Sequence, residues 1–365
     1  MTRNLKRRII SSITSLAMVF SFGATNALDA YNSDTSELQS GKLNYDSIEE
    51  LPDGGKIYTY NIGGVINQFP VPPKGFNPIT ATDEQLETYA FPARPDKNNN
   101  EDYQSWLSLM ESYKFTSAPE ISVVNNSISN FNSDIGDVST YAKSTDYGLA
   151  ASGYYSHLGE SKEFYTQLQV DYVHPKVTAI GGGNSGNSYW VGFGHYSGAR
   201  IQAGTANKNY DQPWAWYSYN NRVNLNSEIK IDNFIVNAGD NIHIYIAFMK
   251  SSGKLNYYFV NMTTGKSVSS VVSIPNAEMY FNGQIASWSA SPLLSKGYPT
   301  GTLGNYGRVT FKNCKAMLNT SNTWIDFNQL SNINKMIMVG PNGTQMSKPS
   351  LYKTDSFQCM WLSYI

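Results

Sequence analysis

Hydrolysing an amide without a metal takes a base to activate water, a donor to hold the oxyanion and an acid to protonate the leaving amine. The chain offers pieces of that chemistry. Gln202, in Ala199-Arg200-Ile201-Gln202-Ala203-Gly204, carries an amide that can donate to an oxyanion but cannot take a proton at any useful pH. Ser291 closes the segment Ala286-Ser287-Trp288-Ser289-Ala290-Ser291. A serine becomes a useful nucleophile only beside a base. His195, directly after Gly194, is the histidine that could serve Ser291, with Gln202 as oxyanion donor. That Ser–His reading has no GxSxG elbow behind it and competes with a plain loop histidine. Trp190, Trp214, Trp216 and Trp288 flank these residues. Such side chains fill a core, or line a groove where the indole N–H finds a partner. His157, His174, His195 and His243 are scattered, with no HExxH, CxxC or EF-hand spacing, so neither a metal nor a cofactor is expected.

Order and spacing carry more than any one segment. Tyr189-Trp190-Val191-Gly192 leads into the Gln202 segment, and Trp214-Ala215-Trp216-Tyr217 follows. Then come the Ser291 segment, Gly304-Asn305-Tyr306-Gly307-Arg308-Val309-Thr310-Phe311, and an ending from Ser356-Phe357 to Trp361. In this order, over about residues 147–365, the chain resembles the glutamic endopeptidases (eqolisins, peptidase G1 family). The resemblance implies a concanavalin-like antiparallel β-sandwich whose concave sheet bears a cleft, with peptide hydrolysis by one Gln and one Glu. Gln202 falls on the family's Gln. The Glu, in a family segment of the form A-E-W-I-V-E, falls on Ser291, and the first Glu of that segment on Ser287. The Asp that follows W-V-G-I falls on Gly194, and the acids of D-A-W-Y-E-W fall on Trp214 and Ser218. The expected cleft therefore keeps Gln202, Trp216 and Trp288 and has no acid at the matched positions. Glu278 or Asp211 could supply a base only if the spacing shifted. Three functions stay open: an impaired relative that binds peptide or another extracellular polymer, an active acid endopeptidase with an unrecognised base, and a carbohydrate-binding sandwich.

The elements that would position these residues are mostly strands. Phe164, Thr166, Leu168, Val170 and Tyr172 alternate with polar residues, as do Ile242, Ile244, Ile246 and Phe248. This period of two marks half-buried strands. Further strands are predicted at Lys56–Tyr60, Tyr189–Phe193, Lys254–Val260, Arg308–Lys312 and Phe357–Trp361. The fold class is all-β, an antiparallel sandwich with a small helical N-terminal region. Thr82-Asp83-Glu84-Gln85 has capping-box form and predicts a helix to about Tyr89. A second helix is predicted from about Glu101 to Tyr113, with Tyr103, Trp106, Leu107 and Met110 on its apolar face.

Residues 1–27 read as a secretory signal: a basic start with Arg3, Lys6, Arg7 and Arg8, an apolar stretch, and Ala24-Thr25-Asn26-Ala27 as cleavage site. An uncleaved anchor is the alternative, although the apolar run is shorter than the ~20 residues of a spanning helix. The expectation is a secreted, extracellular or periplasmic monomer, away from the membrane once the signal is cleaved. Only 15% of residues are charged, and without the signal the chain is net negative, which gives no basic patch for nucleic acid. Residues 28–114 read as a propeptide-like region, residues 115–146 as a linker and residues 147–365 as the sandwich. The first region is either a cover for the cleft, removed on maturation, or a permanent appendage. Cys314 and Cys359 lie in strand-like runs; they form a disulfide if those strands are neighbours, or remain two buried thiols.

Overall fold

Alternating apolar residues along the long strands meet between two antiparallel layers. The structure, a computed structural model, describes residues 41–124, 145–148, 151–159, 161–178, 185–194, 200–220, 228–277, 281–295, 298–299, 303–340 and 342–363. The first layer runs, neighbour to neighbour, through Gly41–Leu43, Ile121–Val124, Glu228–Ile235, Trp214–Asn220, Arg200–Lys208, Gly186–Gly194, Ile285–Pro292, Ser152–His157 and Asn334–Val339. The second runs through Ser356–Trp361, Arg308–Leu318, Tyr165–Val173, Asn241–Met249, Lys254–Asn261, Lys266–Ser273, Val65–Val71, Lys56–Ile62 and Ser47–Glu50. Gln345–Lys353 pairs with Asn334–Val339 on one side and Ser356–Trp361 on the other, so hydrogen bonding passes from layer to layer at that edge. The fold is an antiparallel β-sandwich, as the alternation predicted.

One apolar core fills the space between the layers. The first layer supplies Tyr189, Val191, Ile201, Ala203, Tyr217, Ile229 and Trp288, and the second Leu168, Val170, Ile244, Ile246, Tyr257 and Phe311. The alternation predicted from Phe164 to Tyr172 holds from Leu168 onward. Nearer its start the pairing with Arg308–Leu318 shifts register between Met317 and Leu318. That irregularity reverses the phase and turns Tyr165, not Phe164, into the core.

The N-terminal helices match their sequence signals. Asp83–Thr88 is capped by Thr82, whose side chain accepts from the Gln85 backbone while the Gln85 side chain accepts from the Thr82 N–H. Asn100–Ser112 buries Trp106, Leu109 and Met110. Both helices pack on Tyr245, Ala247, Tyr258 and Val260, on the outer side of the second layer. No helix among the described residues is long and apolar enough to cross a membrane.

One expectation changes and one open alternative is decided. The stretch expected to be a linker from residue 115 contains paired strands: Phe115–Thr116 lies parallel to Lys266–Ser267, and Ile121–Val124 lies antiparallel to Glu228–Ile231. The rest of that stretch, 125–144, lies outside the described residues, as do the signal residues 1–27. The cysteines do not bridge. Their strands are neighbours, but Cys359 stands opposite Val309. Cys314 lies five positions further along, roughly 15 Å away at strand rise, well beyond the ~7 Å a disulfide spans. Both thiols are fully buried; burial pushes Cys359 up to about 12 and raises Cys314 well above the usual thiol range.

Candidate functional site

In the first layer, residues that alternate with the core face the other way. Ile201 and Ala203 are in the core, so Gln202 and Gly204 point to the outer face. The same parity puts Ser188, Trp190, Gly192 and Gly194 there from one neighbouring strand, and Trp214, Trp216 and Ser218 from the other. Ser287, Ser289 and Ser291 join them, because Ala286, Trp288 and Ala290 are in the core. Trp288 is therefore not a cleft residue. It is fully buried between the layers, donates Nε1–H to the Gln169 carbonyl at 2.9 Å, and sits 6.2 Å from the Phe327 ring.

Strand register sorts this face into rows. Ser287 pairs with Gly192, Gly192 with Gln202, and Gln202 with Ser218. The next row is Ser289, Trp190, Gly204 and Trp216, and the one beyond is Ser291, Ser188, Ala206 and Trp214. Ser291, on which the resemblance placed the family's Glu, is thus four residues along and two strands across from Gln202. The residue that faces Gln202 is Ser287, about 10 Å away between backbones at ordinary strand spacing. Only Gly192 separates them. A Cβ on Gly192 would stand 2.8 Å from the Gln202 Cγ, so Gln202 leans over this glycine, toward Ser287. Ser287 Oγ donates to the Gly192 carbonyl at 3.3 Å.

The two outer rows hold indoles in place. Trp190 Nε1 donates to Ser291 Oγ and Trp216 Nε1 to Ser188 Oγ, each at 3.1 Å. Trp190 rests its Cβ on Gly204, where a side chain would collide at 2.8 Å. Trp214 is half-buried, with the Lys230 ammonium 5.6 Å from its ring centre. Gln202, Ser218 and Trp216 are nearly inaccessible in this structure. Gly194 ends its strand, pairing with Ile285 and Arg200.

His195 lies outside the described residues. Gly194, to which it is bonded, is six positions from Ser188, the partner of Ser291. The two ends are about 20 Å apart along the strand, so the register gives the Ser291–His195 pairing no support. Glu278 is also outside the described residues. Asp211 sits in an exposed turn past Lys208, away from the Gln202 row.

Arg200 and Glu228, on the same face, were not foreseen. Arg200 lies on the Gln202 strand two residues before it, and burial lowers its guanidinium to about 10, still a cation at neutral and acid pH. Glu228 is buried at 4% exposure. The pairing Tyr217 with Ile229 continues to place Ser218 beside Glu228, and Ile229 and Ile231 in the core turn Glu228 to the outer face. It stands two strands from Gln202, as Ser287 does, but on the side away from which Gln202 leans. The alternation in Glu228-Ile229-Lys230-Ile231 was the signal that could have found it. Chemically, Gln202 can donate to a carbonyl, and the residue toward which it leans is a hydroxyl.

No curated protein sequence matches the chain. Among solved structures, scytalido-glutamic peptidase with a transition-state analogue inhibitor matches at 15% identity and TM-score 0.47, covering 59% of this chain and 98% of that one. SCP-B, a member of the eqolisin family of peptidases in complex with the tripeptide Ala-Ile-His, matches at 14% identity and TM-score 0.44, with the same coverage. A basic winged bean lectin with Tn-antigen matches at 10% identity and TM-score 0.24, covering 40% of this chain and 68% of that one. The Peptidase A4 family profile matches residues 151–361, which include both outer-facing strands at Gln202 and Ser287, and the chain belongs to that family.

Proposed function

We propose that the protein is a secreted, catalytically impaired member of the Peptidase A4 family that binds an extended polypeptide across the Gln202 face. One observation carries this reading: the side chain facing Gln202 across Gly192 is Ser287, a hydroxyl where the family chemistry calls for a carboxylate. A peptide carbonyl can still accept from the Gln202 amide. Among the described residues, water beside it meets no proton acceptor in the direction Gln202 leans, so the carbonyl would be bound and not attacked. Trp190 and Trp214, both half-buried, supply apolar surface for side chains of the ligand. The signal-like residues 1–27 support export.

A casein-degradation assay from pH 2 to 8 tests the proposal. The wild type is expected to be inert, Ser287→Glu to gain acid activity, and Ser291→Glu to remain inert because it lies two rows away. A second reading has its own observation, the buried Glu228 on the Gln202 row. Under that reading the wild type cleaves casein and Glu228→Gln abolishes the cleavage, which would overturn the impaired-relative reading.

A further inference from the structure

Residues 28–114 were open to two readings, a removable cover or a fixed part, and the stretch after them was read as a linker; the structure describes residues 41–124 as one continuous region. Its strands complete both layers. Val65–Val71 pairs with Lys266–Ser273 at the edge of the second layer, and Lys56–Ile62 and Ser47–Glu50 extend that edge. Ile121–Val124 pairs with Glu228–Ile231 at the edge of the first layer, and Gly41–Leu43 lies outside it. Tyr60, Ile62, Val65, Phe69, Ile121 and Val123 belong to the same core as Tyr217 and Ile229.

Polar contacts make the same link. Asn67 is fully buried behind the strand that carries Trp216 and Ser218. Its Oδ1 accepts from Tyr217 OH at 2.9 Å, and its Nδ2 donates to Tyr219 OH at 3.1 Å and to the Val65 carbonyl at 3.0 Å. On the far side, the buried Lys315 ammonium reaches Glu101 at 3.1 Å and Asp102 at 3.4 Å on the second helix. Without residues 41–124, two tyrosine hydroxyls and a lysine would lose these partners, and each layer would expose an apolar edge. The helices lie on the outer side of the second layer, whereas Gln202 faces out from the first, so these helices do not plug the Gln202 face.

We propose that residues 41–124 are a permanent part of the working protein, which finish both sheets and build the Glu228 side of the Gln202 face and are not removed on maturation. Parity places Val124 next to Glu228 on the Gln202 row, and Ser122 next to Lys230 on the Trp216 row. A ligand running across the strands from Gln202 past Ser218 and Glu228 would therefore meet this region as the far wall. Retention of the region does not depend on what the face binds.

Two measurements test it. The intact mass of the unmodified protein, exported from a bacterial host with its own first 40 residues, should give an N-terminus at or before residue 41. An N-terminus after residue 114 overturns the proposal. Separately, a site-specific protease sequence inserted within residues 125–144 is cut in the folded full chain, followed by native size-exclusion chromatography. The fragments should co-elute and separate only in denaturant; separation that leaves residues 145–365 aggregated supports the proposal equally. Release of the N-terminal fragment with residues 145–365 still monodisperse and melting at the original temperature overturns it. Neither readout uses casein activity, so this proposal and the impaired-relative reading fail independently.

Discussion

Gln202 was singled out from its flanking residues, whereas the residue that faces it is a matter of geometry. Spacing along one segment cannot choose between Ser287 and Ser291, because both point to the same face four residues apart. Cross-strand register chooses, through the pairing of Gly192 with both Gln202 and Ser287. Gly192 is then the residue on which the arrangement turns. Gly192→Ala would put a methyl 2.6 Å from the Ile201 carbonyl and 2.8 Å from the Gln202 Cγ. Overpacking of this kind costs about 1–3 kcal/mol, and Gln202 is expected to swing away. The check is a urea melt alongside peptide binding by tryptophan fluorescence. Unchanged stability and binding would mean that Gln202 does not lean over this glycine. The same absence of pairing information left Trp288 and the cysteines open. An alternating run says which residues share a face, not which face is the core, and Trp288 turned out to be inside. For the thiols, burial and raised proton affinity predict no reaction with a thiol reagent at pH 8 in the native protein, and two equivalents in guanidinium. Rapid native labelling would contradict the buried placement.

At the level of elements, what was legible depended on local chemistry. The helix after Thr82 was readable because its capping box is closed by residues three apart. The helix at Asn100–Ser112 was readable from its apolar period, and its boundaries moved by one residue at each end. The strand at Val65–Val71 contains Pro70, whose missing N–H argues against a strand in the sequence alone. In the fold Pro70 sits opposite Ile57 in a hairpin whose other edge meets Val271–Ser273 only at Ile66–Gln68, so its missing N–H breaks no pairing with that strand. Ile121–Val124 was hidden by its Ser- and Asn-rich surroundings, and only its long-range pairing with Glu228–Ile231 makes it a strand. Asn67 is the sharpest test of how firmly these late-recognised strands belong. Asn67→Val removes the partner of Tyr217 OH and of Tyr219 OH in a closed core. Leaving buried hydroxyls unmatched costs about 1–3 kcal/mol each, so a loss of roughly 2–6 kcal/mol is expected in urea unfolding. The loss should shift the single transition of the whole protein. If instead a separate early transition split off, the hairpin would be an independent appendage.

Across the whole molecule, pH acts on the fold through a buried histidine. His174 is fully buried, with its Nδ1 2.8 Å from Thr205 Oγ1, which also meets Tyr172 OH at 2.7 Å. Burial lowers the imidazole from 6.5 to about 3, only partly opposed by Asp240. Between those values the unfolded chain holds a proton that the folded protein excludes. The stability from a neutral His174 is therefore complete above pH 6.5 and lost as pH falls toward 3, at up to about 1.4 kcal/mol per pH unit. A peptidase working through a protonatable carboxylate at acid pH would operate where this core histidine most opposes the fold, which is in keeping with the binding role proposed for the Gln202 face. Urea unfolding midpoints measured from pH 7 to pH 4 should fall steeply for the wild type. They should fall less for His174→Asn, whose short amide can still meet Thr205 but takes no proton. Parallel slopes for the two proteins would remove His174 as the cause. If peptide binding then persisted undiminished at pH 4, the link between core protonation and the working range of the face would fall with it.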